Sequence, residues 1–111
     1  GQLPLAKDSV VMVDDVITDG LTKIESVAMI RELCGVKFSG VLVALDRMEK
    51  NSLGRDAIAD FEQITGVPVW SVITIREVCD YLKNREIDGA VVLDDDIFLK
   101  IEHYLEEHSV R

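Results

Sequence analysis

"VVMVDDVITDGLT", residues 10–22, runs four apolar residues into the adjacent carboxylates Asp14 and Asp15, then through Val16 and Ile17 into a turn of Thr18, Asp19, Gly20, Leu21 and Thr22. An apolar, β-branched run without alternation reads as a strand covered on both faces, expected here over Val10–Val16. Two neighbouring negative charges repel, and at the edge of a core they are partly desolvated. The pair is therefore unfavourable unless hydroxyl donors or a cation meet it. The Gly-containing turn just after it opens a helix. Successive N–H groups at the positive end of a helix dipole form a nest for an anion, and the Thr hydroxyls add donors. The stretch thus asks for a ligand carrying phosphate.

Outward from this stretch, strands and helices alternate. A helix is expected from Thr22 to Cys34, with Thr22 and Glu25 at capping-box spacing and Gly35 as its stop. "FSGVLVALD", residues 38–46, reads as a second buried strand, and "RMEKNSLG", residues 47–54, as a polar loop. Arg55–Thr65 reads as a helix ended by Gly66. Val67–Thr74 reads as a third strand whose Pro68 fits only near its start. Ile75–Asn84 is helical, "GAVVL", residues 89–93, is either a short fourth strand or an extended connection, and Ile97–His108 closes the chain as an amphipathic helix. Such alternation implies right-handed βαβ crossovers and an α/β fold on a parallel sheet of three to four strands. Ligand crevices in these sheets lie outside the carboxyl ends of the strands. Asp14–Asp15, Asp46–Arg47 and Thr74 should therefore share one rim.

Composition sets the outer limits. The 111 residues suit one domain, and 48% apolar with 30% charged residues describe a globular chain. Twenty-one acids against twelve bases leave a net charge of −9. No Lys/Arg cluster accompanies aromatic residues, so nucleic acid and anionic membranes are poor partners. No run approaches the roughly 18 apolar residues of a spanning helix, and no basic, apolar leader is present, which reads as cytoplasmic. Cys34 and Cys79 sit among apolar neighbours without a C-x-x-C and read as reduced core thiols. Asp94–Asp96 reads as a helix cap rather than a metal site, and His103 and His108 as surface residues of the last helix. Gly1 in place of Met reads as a trimmed or partial product.

The pattern of residues 10–22 resembles the signature of the type I phosphoribosyltransferases: four apolar residues, two acids, two apolar residues, then Thr-x-Gly-x-Thr. "GVLVALDRMEKNSLG", residues 40–54, and "VPVWSVITIREVCDYL", residues 67–82, are similar to later segments of the orotate phosphoribosyltransferases. The resemblance covers nearly the whole chain but only about the C-terminal half of such an enzyme. It implies a partial, Rossmann-like phosphoribosyltransferase core and transfer of ribose 5-phosphate from phosphoribosyl pyrophosphate to N1 of orotate, with Mg²⁺. By the same resemblance, Asp14 and Asp15 hold the ribose hydroxyls, and Thr18, Asp19, Gly20, Leu21 and Thr22 wrap the 5-phosphate. Arg47 reaches the orotate carboxylate. Carboxylates are natural acceptors for a vicinal diol, and they favour a positive, oxocarbenium-like ribose. The planar fork of Arg suits a carboxylate, although a surface salt bridge to Glu49 or Asp46 would look the same in sequence.

Asp19 departs from the family, which carries a small residue there. Either its side chain points to solvent while its N–H binds, or phosphate binding is weakened. Leu21 likewise replaces a frequently hydroxylated position. The family's basic loop is absent ahead of "GQLPLAK", residues 1–7, so the isolated chain is expected to be inactive. The incomplete sheet is expected to recruit partners, giving a homodimer or larger assembly. Two rival readings remain. One is a non-catalytic regulator that keeps only the phosphoribosyl pyrophosphate loop. The other is a two-component receiver domain with Asp46 as phosphoacceptor and Thr74 as switch, although one helix between Asp15 and Asp46 is too few for that fold.

Overall fold

In the computed structural model, which describes residues 1–110, three strands form a parallel sheet in the order β1-β2-β3. They are β1 (Ser9–Val16), β2 (Lys37–Asp46) and β3 (Val69–Thr74), linked by α1 (Leu21–Cys34) and α2 (Ala57–Thr65). The register pairs Met12 with Val41 and Val13 with Leu42. It then pairs Leu42 with Trp70 and Asp46 with Thr74, so the strands end level. Pro68 stands just before β3, where its carbonyl accepts the N–H of Val41 at 2.8 Å.

Two right-handed crossovers stepping the same way across a sheet place both helices on one face. Val27 of α1 and Phe61 of α2 accordingly meet Val41 and Val43 of β2 in a single core, closed by Ile17, Val36, Phe38, Ala57 and Val67. The opposite face is bare: Val13 is 71% and Val72 73% exposed, with Val11 and Trp70 beside them. This corrects the expectation that Val10–Val16 is covered on both faces. An unbroken β-branched run makes both faces of a strand apolar, and it does not by itself supply the cover for the second face. The molecule is a slab 16 Å thick with a radius of gyration of 17.2 Å, against about 13 Å for a compact domain of this length. Gly40 lies on the bare face, where an added Cβ would overlap the ring of Trp70.

"GAVVL" is not a fourth strand of the sheet. Ala90–Val91 forms β5, paired antiparallel with β4 (Glu86–Ile87) in a separate hairpin. Asp88 and Gly89, with φ of 50° and 83°, make the two-residue turn. Asp-Gly with both φ positive matches strand twist, which is why this dipeptide makes a hairpin rather than an extended connection. α3 (Ile75–Leu82) and α4 (Asp95–His108) complete the chain. They are held together by Arg76–Glu102 at 3.8 Å and by Lys83 over the Phe98 ring at 4.0 Å. Asp94 caps α4 by accepting the N–H of Ile97 at 2.9 Å, as its position implied. Cys79 is buried and Cys34 half-buried, both free. Burial, then the charges of Glu102 and Asp80, push the Cys79 thiol up, away from reactivity. No described helix is long and apolar enough to cross a membrane.

Candidate functional site

Ile17 anchors the end of β1 in the core, and the chain then turns outward through Thr18 and Asp19 to Gly20. Gly20, at φ 81°, is the N-cap of α1, and no side chain caps the helix there. The expected Thr22–Glu25 capping box does not form, because the helix has already begun at Leu21. The box forms instead at Thr74 and Glu77, ahead of α3. Asp56 and Asp94 cap α2 and α4. At α1 the first-turn N–H groups of Leu21, Thr22 and Lys23 therefore keep no side-chain acceptor. Residues 15, 16 and 18–23 line a cavity of about 410 Å³ around them. This one cavity brings together Asp15, Thr18, Asp19, Gly20, Leu21 and Thr22.

Asp14 meets Lys23 at 2.8 Å, and the Lys23 ammonium also donates to the carbonyl of Val16 at 2.7 Å. The lysine contact first, and then the Asp15 N–H at 2.8 Å, hold the Asp14 carboxyl down at about 2. The pair of acids is thus met by a cation within the protein, in part. A lowered folded pKa means that the stabilising contribution of this pair is complete above the ordinary carboxylate range and is lost as pH falls toward 2. We expect an NMR titration of Asp14 to show its midpoint near 2, and Lys23→Gln to move it up toward the ordinary 3.8. An unchanged midpoint in that variant would detach Asp14 from Lys23.

The Asp19 side chain does not simply point to solvent. Its Oδ1 accepts the N–H of Ser52 at 2.7 Å, tying the turn to the loop after β2. That loop is built around Asn51, whose Oδ1 accepts from Leu53 and Arg55 at 3.0 Å. The carboxylate that departs from the family is thereby spent on structure, and sequence spacing gave no sign of Ser52 as its partner.

Arg47 stands on the same rim but lines a second cavity of about 310 Å³, with Leu45, Glu49, Ile75, Lys100 and Tyr104 among its walls. Its Nη2 donates to Glu49 Oε1 at 2.7 Å. The structure does not bring Arg47 into the loop cavity. Asp46 is buried, and its Oδ1 accepts the N–H of Met48 at 2.8 Å. The salt bridge to Glu49 that the sequence left open for Arg47 is thus present, whereas Lys100 and Tyr104 were missed by sequence reasoning, which carried no signal linking the last helix to the rim. Among the described residues no group of three His, Cys, Asp or Glu is placed to hold a metal ion.

No family model matches the chain. Individual relatives do. The chain is 32% identical over 104 residues to an orotate phosphoribosyltransferase of Clostridium botulinum strain Alaska E43, covering 94% of this chain and 46% of that protein. It is 36% identical over 105 residues to that of Agathobacter rectalis, again covering 94% and 46%. It is 47% identical over 81 residues to that of Marinobacter nauticus, covering 72% and 38%. The chain thus spans about half the length of the curated relatives it matches. A crystal structure of orotate phosphoribosyltransferase from Francisella tularensis superposes with a TM-score of 0.72 at 23% identity, over 96% of this chain and 49% of that one, and shares the fold.

Proposed function

The chain is homologous to the C-terminal portion of the orotate phosphoribosyltransferases, and on that premise we propose that it supplies the phosphoribosyl pyrophosphate side of an enzyme that transfers ribose 5-phosphate to orotate. The observation that carries this reading is the uncapped start of α1 at Gly20, opening into a cavity directly after a pair of carboxylates. The 5-phosphate accepts hydrogen bonds from the N–H groups of the Gly20 turn and from Thr18 and Thr22. The ribose 2- and 3-hydroxyls donate to Asp14 and Asp15. As N1 of orotate bonds to C1 of the ribose and the bond from C1 to the pyrophosphate oxygen breaks, positive charge grows on the sugar, and these carboxylates stabilise it. Arg47 presents its fork to the orotate carboxylate from the second cavity.

Mg²⁺ belongs to this reading as an ion carried on the diphosphate, where it supplies neutralising charge to the leaving group. A homodimer belongs to it as well, supported by the apolar sheet face of Val11, Val13, Trp70 and Val72. The test is a calorimetric titration of the chain with Mg²⁺-phosphoribosyl pyrophosphate. The reading expects saturable binding that ribose 5-phosphate competes away. Absence of binding, or binding indifferent to ribose 5-phosphate, would overturn it.

A further inference from the structure

Arg47 is followed by a residue in an unusual backbone state: Met48 has φ 59°, in the left-handed region that side chains other than Gly and Asn enter at a cost. That conformation is held from both sides. The N–H of Met48 donates to Asp46 Oδ1 at 2.8 Å, and its carbonyl accepts the N–H of Val110 at 3.0 Å. The same segment is pinned to the end of α4 by the N–H of Lys50, which donates to the His108 carbonyl at 2.8 Å, and by a bridge between Glu49 and Ser109. The turn at Met48 brings the side chains of Arg47 and Glu49 together. Glu49 Oε1 accepts from Arg47 at 2.7 Å and from the Tyr104 hydroxyl of α4 at 3.1 Å.

We propose that Tyr104 and Glu49 are positioning residues that aim the Arg47 guanidinium at the acceptor's carboxylate, so that the docking of α4 sets the affinity for the acceptor base. The inference rests on the reading of Arg47 given above. The Glu49 side chain is only 17% exposed while that of Arg47 is 39% exposed, so the anchor is sheltered and the guanidinium reaches outward. A guanidinium has five donors in a fixed fork, and one bond to Glu49 leaves most of them for a ligand. Fixing a long side chain before the ligand arrives removes an ordering cost from binding. The opposing effect is the charge of Glu49, which competes for Arg47 and repels an incoming carboxylate. The ligand meets Arg47 on its more exposed side, 39% exposed, where solvent screens it from the sheltered Glu49 carboxylate, so pre-organisation prevails.

The experiment titrates orotate into the 111-residue chain, read at the Arg47 guanidinium resonances by NMR, with Mg²⁺-phosphoribosyl pyrophosphate affinity measured in parallel. Tyr104→Phe keeps the ring and the Glu49 charge and removes one hydrogen bond. It is expected to raise the orotate dissociation constant about threefold to tenfold, broaden Arg47 motion, and leave donor affinity within about twofold. Glu49→Gln keeps an oxygen for both donors and should retain most of the affinity that Glu49→Ala loses. Unchanged or tighter orotate binding in Tyr104→Phe and Glu49→Ala, with Arg47→Ala weakening it, overturns the positioning role alone. Orotate binding indifferent to Arg47→Ala, or absent in the unaltered chain, overturns the reading of Arg47 and this inference with it.

Discussion

Assayed alone with orotate and Mg²⁺-phosphoribosyl pyrophosphate, the 111-residue chain is expected to turn over at least about 10³-fold more slowly than a complete orotate phosphoribosyltransferase. Departing pyrophosphate gathers negative charge, and lowering that barrier requires cations placed in advance at the leaving group. The loop cavity has one lining cation, Lys23, among the residues around it. Lys23 is already committed to Asp14 at 2.8 Å and to the carbonyl of Val16. A chain of net charge −9 offers no compensating field. Loss of two or three charge-assisted contacts in the transition state accounts for a deficit of this size. An orotate-depletion assay on the purified chain measures it, and turnover comparable to that of a complete enzyme would show that the cations are not needed.

Asp15→Asn is expected to weaken binding of Mg²⁺-phosphoribosyl pyrophosphate by about 1–3 kcal/mol, roughly 5- to 150-fold, the range for losing charge-assisted hydrogen bonds. Asp15 is expected to matter more to the ligand than Asp14, because Asp14 is already met by Lys23, which holds its pKa at about 2. Asp15 lines the loop cavity and lies exposed at its edge, where its Oδ1 accepts the N–H of Val16 at 2.7 Å. Asparagine preserves shape and one acceptor while removing charge, so the fold is kept and the change reads on the ligand. A dissociation constant unchanged in calorimetry would remove Asp15 from the ribose site.

The sequence disclosed the layout of the rim because its signals were local. The apolar run to Val16, the stops at Gly35 and Gly66 and the Asp94 cap are each set by neighbours within a few residues, and the structure contains all of them. Long-range pairings were not legible. Nothing in the spacing of residues 19 and 52 announces that an Asp carboxylate will receive a Ser N–H. Nothing within the last helix marks Tyr104 as a partner of Glu49. Thr22-x-x-Glu25 and Thr74-x-x-Glu77 are equivalent as patterns. Only the second caps a helix, because Gly20 starts the first helix early and leaves its N–H groups open. The bare sheet face was equally hidden: an apolar strand reads the same in sequence whether or not its second face is covered.

Backbone amide shifts measure the proposed anion nest at Gly20 most directly. On adding ribose 5-phosphate to isotopically labelled chain, the largest and saturable changes are expected on the amides of residues 18–23. The amides at the capped starts of α2 and α4, where Asp56 and Asp94 already accept the free N–H groups, should stay still. Changes centred on those capped helices, or no saturable change at residues 18–23, would contradict the nest.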